Sequence, residues 1–170
     1  MQKNFTYPLQ IDELNQGDQR YKLRADKEEL EFLAEVLQVP AVNNFEAELN
    51  LNFQKKKGIL TISGEVKANL TLISVISLDE FDKNYKTKFT LTYDTTAKYE
   101  DIKDMDEDIN MDIPDIVYNG KVDLVDVSIE QLALIMEDHP RKKGEEFSSI
   151  IEDMSPAKNN PFSALAKLKK

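Results

Sequence analysis

His139 is the only histidine in the 170 residues, and cysteine is absent. Any imidazole acid–base pair or imidazole-activated nucleophile would have to run through that one side chain. It stands in Asp138-His139-Pro140-Arg141-Lys142-Lys143-Gly144, a basic loop flanked by proline, where an ordinary turn residue is the common occupant. Two-histidine metal sites, thiolate zinc sites, disulfides and thiol nucleophiles are all excluded by composition. The five glycines, Gly17, Gly58, Gly64, Gly120 and Gly144, have no glycine neighbours, so neither a P-loop nor a G-x-G-x-x-G cradle is present, and G-x-S-x-G is missing too. Ser74, inside Leu72-Ile73-Ser74-Val75-Ile76, reads as a satisfied buried hydroxyl rather than a nucleophile. These residues argue against an enzyme, and no cofactor is expected.

Carboxylates are plentiful. Between residues 94 and 112 lie Glu100, Asp101, Asp104, Asp106, Glu107 and Asp108 with few apolar residues between them. Asp104, Asp106 and Asp108 match the first three ligand positions of an EF-hand loop, but position six is Ile109 where glycine is required, and position twelve is Asp115 where a bidentate glutamate is expected. The calcium reading fails. A solvated acidic loop is the first reading of this stretch and a contact for a basic partner the second.

The formal net charge is -10, from 32 acidic and 22 basic residues. A surface built mainly to grip phosphate backbones needs the opposite balance, so a basic partner fits better than bulk nucleic acid. Basic residues cluster in Lys55-Lys56-Lys57, in Arg141-Lys142-Lys143 and in the stretch from Lys167 to Lys170. Brought together, they would make a local patch able to touch RNA within a screening length of about 8–10 Å. No aromatic stacking pattern of the RNP type accompanies them. The first residues lack an apolar signal core and nowhere do 18 apolar residues run together, so no membrane association is expected and the chain reads as soluble and cytoplasmic.

The elements that must position these groups follow from periodicity. Residues 5–9 suggest an edge strand limited by Pro8, and residues 11–24 a polar connection with a short strand at 21–23. Asp26 with Glu29 three residues later resembles a capping box, and Leu30, Leu33, Ala34 and Leu37 form a helical stripe closed by Pro40. From Phe45 the period becomes two. Three alternating runs, 45–53, 60–72 and 85–93, joined by a Lys55-Lys56-Lys57-Gly58 turn and by an acidic turn at Asp79, Glu80 and Asp82, predict an antiparallel meander. Gly64 interrupts the inward row of the second run, which implies a bulge or a close backbone approach. Residues 73–78 are apolar on both faces and should be covered twice.

A helix from Asp123 to about Met136 is apolar nearly all round and should be wrapped by the sheet. Further on, Asn160 and Pro161 suit the start of another helix, with Phe162, Leu165 and Leu168 as a narrow stripe and lysines at the negative end of its dipole. The expected architecture is a single α+β domain over residues 1–170. A twisted antiparallel sheet, barrel-like at the extreme of its curling, packs on a central buried helix, with a second helix at the side. An acidic loop at 94–112 and a basic segment at 156–170 complete it.

The order of several landmarks resembles that of the bacterial YceD family, the large ribosomal RNA subunit accumulation proteins. They are residues 5–14, Leu37-Gln38-Val39-Pro40, Phe45-Glu46-Ala47-Glu48-Leu49, residues 64–78, Pro114, Val122-Asp123-Leu124, Glu130-Gln131-Leu132-Ala133-Leu134, Pro140-Arg141 and Asn160-Pro161-Phe162-Ser163-Ala164-Leu165. The resemblance covers nearly the whole chain, and its most specific parts are the E-Q-L-A-L helix, the following P-R and the N-P-F. Ser74 stands where many relatives carry cysteine, and His139 where tyrosine is common. The resemblance implies a non-enzymatic factor for large-subunit rRNA processing or accumulation. How such a factor acts does not follow from the resemblance; the charge balance and the basic loop directly after the buried helix point to a basic ribosomal protein or an assembling large-subunit particle as its partner. Candidate contacts are Arg141, Lys142, Lys143, Asn160, Pro161, Phe162 and Leu165, with Asp104, Asp106 and Asp108 for a basic protein. The alternative is direct binding of precursor rRNA through the basic loop and the segment near residue 160.

Overall fold

The computed structural model describes residues 4–96 and 115–146. In chain order the elements are β1 (Pro8–Gln10), a 3-10 turn (Ile11–Glu13), β2 (Gly17–Arg24), α1 (Lys27–Leu37), β3 (Ala41–Gln54), β4 (Ile59–Ile73), β5 (Glu80–Asp94), β6 (Asp115–Ile116), a second 3-10 turn (Tyr118–Gly120), β7 (Lys121–Asp123) and α2 (Leu124–Ala133). The three expected strands are present and pair antiparallel. Phe53 faces Leu60 across the first hairpin, and Leu60 faces Tyr93 across the second. The hairpin between β3 and β4 turns where predicted, with Gly58 at φ +65° after the three lysines.

Two strands extend this meander. β2 pairs antiparallel along β3 for its full length, from Gly17 opposite Phe53 to Arg24 opposite Glu46, and so replaces the short strand expected at 21–23. Its alternation was hidden because most inward positions, Gly17, Gln19 and Tyr21, are not aliphatic. β6 runs parallel to β5, which makes the five-stranded sheet mixed rather than purely antiparallel. The order β2-β3-β4-β5-β6 is linear, so among the described residues the sheet is open and not a barrel. β1 begins at Pro8, whose missing N–H is tolerated at a strand start, and pairs with β7 in a separate two-stranded ribbon.

Both helices share one core with the inward face of the sheet. Phe45, Leu51, Leu60, Ile62, Val66 and Leu70 are fully enclosed, together with Leu33 from α1 and Leu124, Val125 and Leu132 from α2. Full burial of side chains this size contributes about 1.5–3 kcal/mol each, enough to fix which face of every strand points inward. The opposite face is wet and charged. Ion pairs tile it: Lys22 lies 2.8 Å from Glu48 and Lys86 3.2 Å from Glu65 across strands, and Glu65 also holds Lys67 of its own strand at 2.9 Å.

Helix ends obey their caps. The Asp26 carboxylate accepts from the Glu29 N–H at 3.0 Å while the Glu29 carboxylate accepts from the Asp26 N–H at 2.8 Å, a complete capping box. Gln38, left-handed at φ +56°, ends α1 two residues before Pro40. Asp123 caps α2 by accepting from Val125 N–H at 2.8 Å, and also accepts from the backbone of Tyr7 at 3.0 Å. One carboxylate therefore starts the helix and fastens β1.

The far end of α2 corrects the expectation of a helix buried on all sides out to Met136. The helix ends at Ala133, and the chain continues in tighter turns in which Ile135 and Met136 donate three residues back. The sheet lies on one side of α2, so Leu134 is 77% exposed and Ile135 stands at the surface. The expectation of double cover over 73–78 fails for the same reason. Ile73 and Val75 are nearly half exposed and Leu78 is 75% exposed.

Gly64 makes a close approach and not a bulge. Register runs unbroken through it, with Leu49 on one side and Phe89 on the other, and the irregularity in β3 falls instead between Val42 and Asn44. A Cβ at Gly64 would lie 2.5 Å from the Glu48 carbonyl oxygen and 2.6 Å from Leu49 Cδ2. Gly64→Ala gains about 0.5–1 kcal/mol of strand preference but must displace backbone, an overpacking cost of about 1–3 kcal/mol. The expected result is a net loss, seen as a lower denaturant midpoint with an unchanged slope; a midpoint at or above wild type would show that β3 gives way freely.

Candidate functional site

One end of the molecule gathers the turn between β4 and β5 and the chain that follows α2. Ser74, fully buried, organises it. Its hydroxyl accepts from the backbone of Ile76 at 3.2 Å and of Ser77 at 3.4 Å, and donates to the Glu145 carboxylate. The same carboxylate oxygen of Glu145 accepts from the Lys142 N–H at 3.1 Å. Val75 N–H donates to the Pro140 carbonyl at 2.9 Å, and the Lys142 ammonium lies 2.7 Å from Asp79. Lys83, above the ring of Tyr85 at 5.4 Å, pairs with Glu137. A buried hydroxyl, a carboxylate, one backbone bond and the Lys142–Asp79 ion pair thus fasten residues 140–145 onto the turn, while Lys83 and Glu137 tie β5 to the chain just before them.

The turn is closed by Ser74 N–H to Asp79 carbonyl and Leu78 N–H to Ser74 carbonyl, both at 2.9 Å. Leu78 sits at φ +62°. A left-handed backbone is normal for glycine and tolerated by asparagine, but a leucine there works against its own Cβ. Its side chain meanwhile points to solvent.

Electrostatics support the fastening. Hydrogen bonding from Ser74, then from Ser77, holds the Glu145 carboxyl below the usual carboxylate range, and Lys142 does the same to Asp79. Carboxylates depressed in the folded state contribute at neutral pH and lose that contribution as pH falls through their folded values.

Of the residues singled out by sequence, Arg141 and Lys143 are exposed on this loop, whereas Lys142 is engaged with Asp79. His139 is exposed beside them. Ser74 is the satisfied buried hydroxyl that was expected. Asp104, Asp106, Asp108, Asn160, Pro161, Phe162 and Leu165 lie outside the described residues. Sequence reasoning missed the apolar surface here. Ile73, Val75, Leu78, Leu134 and Ile135 are five of the seven exposed large hydrophobics among the described residues, and all belong to the two segments just described. The available signal was the apolar run beside an acidic turn, which alone does not tell cover from exposure.

Elsewhere, an open recess of about 590 Å³ on the outer sheet face is framed by Arg20, Lys22, Glu48, Asn50 and Ser63. Among the described residues there is no group of three side chains placed to hold a metal ion, and no helix is long and apolar enough to cross a membrane.

Amide exchange should report the fastening directly. The Val75 and Lys142 amides are expected to lose protection only as pH falls below the usual carboxylate range, where the depressed Glu145 and Asp79 carboxyls take up protons, while amides in the middle of β3 and β4 keep theirs. Ser74→Ala should produce the same local opening at neutral pH. Equal protection at both sites under acid conditions would mean that the carboxylates do not hold the loop.

Compared with protein-family models, with curated proteins and with solved structures, the chain finds no match.

Proposed function

We propose that this protein is a non-enzymatic factor in ribosome biogenesis, supporting processing or accumulation of large-subunit rRNA by binding a basic ribosomal protein or an assembling large-subunit particle. The observation that carries the reading is a convergence. Of the landmarks most specific to the YceD resemblance within the described residues, Pro140-Arg141 meets the end of the 64–78 landmark directly, where Val75 bonds to Pro140, and the E-Q-L-A-L stretch at 130–134 leads into that loop. Residues that build only a core would be enclosed; Leu134 and Arg141 are exposed instead.

Chemistry favours a protein partner over bare nucleic acid. The surface is apolar, and the net charge of -10 disfavours phosphate. Arg141 and Lys143 supply two exposed cations at its edge, suited to positioning on a particle that also contains RNA. Non-specific RNA binding would draw on many more phosphate contacts than two side chains provide.

Depletion of the protein is expected to lower large-subunit rRNA and raise its precursors, with small-subunit rRNA unchanged, as read by hybridisation. Tagged protein should enrich large-subunit precursors, and nuclease treatment should leave a ribosomal protein bound. If all bound material disappears with nuclease, RNA is the partner and the alternative through Arg141 and Lys143 takes over. Unaltered rRNA ratios after depletion would remove the process itself.

A further inference from the structure

We infer that the turn carrying Leu78 and the end of α2 carrying Leu134 form one docking surface for an amphipathic, cationic segment of a partner protein. This rests on the ribosomal reading for the identity of that protein and on the structure for the surface. Two independent features point to it. The first is exposure: Leu78 at 75% and Leu134 at 77% stand out beside Val75, Ile73 and Ile135 on segments tied together through Val75 and Pro140. Scattered single hydrophobics need no explanation, but five on two segments joined by the bond between Val75 and Pro140 do.

The second is strain. Leu78 adopts a left-handed backbone that asparagine or glycine would hold more easily, yet it buries almost nothing in exchange. Neither local preference nor core packing accounts for a leucine at this place. The turn is instead over-determined from behind, by the Ser74 hydroxyl and by the Lys142 ion pair with Asp79, so that the apex stays presented. Leucine at a fixed apex is a ready-made anchor for a partner pocket.

Charge selects the occupant. Residues 73–83 and 134–146 carry seven acids against four bases. Lys83 and Lys142 are paired inside the site with Glu137 and Asp79, which leaves five acids against Arg141 and Lys143. An incoming helix or turn with a few apolar side chains flanked by Lys or Arg would cover the leucines and meet the remaining acids. Phosphate backbones offer no apolar contact, and a second copy would set like charges against each other.

The test uses the full chain with a benzophenone amino acid in place of Leu134, irradiated with RNA-free protein from purified large ribosomal subunits, and the cross-linked peptides are sequenced. The expected product is a cationic amphipathic segment of one ribosomal protein, and Leu78→Asn in the same chain should cut its yield more than about tenfold. Because asparagine accepts the left-handed backbone, Leu78→Asn should at the same time raise the thermal midpoint by about 2–5 °C, which separates lost binding from lost folding. A cross-link to residues 160–168 of the same chain, or to a second copy, overturns the proposal, as does an unchanged or lower midpoint. Absence of any cross-link while large-subunit precursors are still captured overturns the surface and leaves the ribosomal reading standing. A cationic amphipathic segment from a non-ribosomal protein, found on repeating the irradiation in lysate, supports the surface and removes the ribosomal reading.

Discussion

Everything in this fold is referred to the register of β4. All fifteen of its residues pair with β5 and those from Ile59 to Thr71 also pair with β3, and period two sends Leu60, Ile62, Val66, Ala68, Leu70 and Leu72 to the helices while Thr61, Ser63, Glu65, Lys67, Asn69 and Thr71 face water. A slip of one residue would exchange the two sets at once, so burial of that row locks the alignment far more firmly than any single hydrogen bond. Gly64 is the condition on which the row can be straight, since any side chain there meets the backbone of Glu48. With β4 fixed, its last residues and the turn beyond them are fixed too. The site at 73–79 inherits its position from the sheet.

What the sheet does not supply is the attachment of the chain after α2. Residues 140–145 have no regular secondary structure, and they are held by the Ser74 hydroxyl, the Glu145 carboxylate, one backbone bond and the Lys142 ion pair with Asp79. Exposed ion pairs by themselves contribute little, typically under 1 kcal/mol. The weight therefore falls on the hydroxyl, because a buried polar group without partners is costly and here all of its capacity is used. A rigid sheet end and a loop attached by polar bonds meet at one surface. That division lets the strained apex at Leu78 persist without loosening the core.

Much of this was readable from the residues alone, and the reasons differ by element. Alternation over 45–53, 60–72 and 85–93 revealed the meander because its inward positions are aliphatic or aromatic. β2 escaped because Gly17 and Gln19 stand at inward positions, where no hydrophobic signal exists. The caps at Asp26 and Asp123 were legible since capping is a local exchange between a side chain and nearby amides. Cover was not legible. An apolar residue reads the same whether a sheet lies over it or not, and so Leu134, Ile135 and the 73–78 run were assigned to an interior that ends short of them. Arg141, Lys142 and Lys143 form one basic cluster in sequence, yet folding separates them into two exposed cations and one structural ion pair, a distinction that depends on Asp79 more than sixty residues away.

Position 74 shows what a serine does that a cysteine of the same size would not. A hydroxyl can donate strongly to a carboxylate while accepting two amides, and Ser74 does all three. A thiol is a weak donor and a weak acceptor, so the same bonds would be poorer and Glu145 would lose its main reason to be depressed. Serine and Glu145 are therefore one device. In this chain the basic loop is placed by a charge-assisted hydrogen bond, where a cysteine would have to place it by packing. The consequence is electrostatic control over a surface whose contact area is apolar. On the proposed docking surface the leucines would set how tightly a partner is held, and the carboxylate behind them would set whether the loop beside them is in place to meet it.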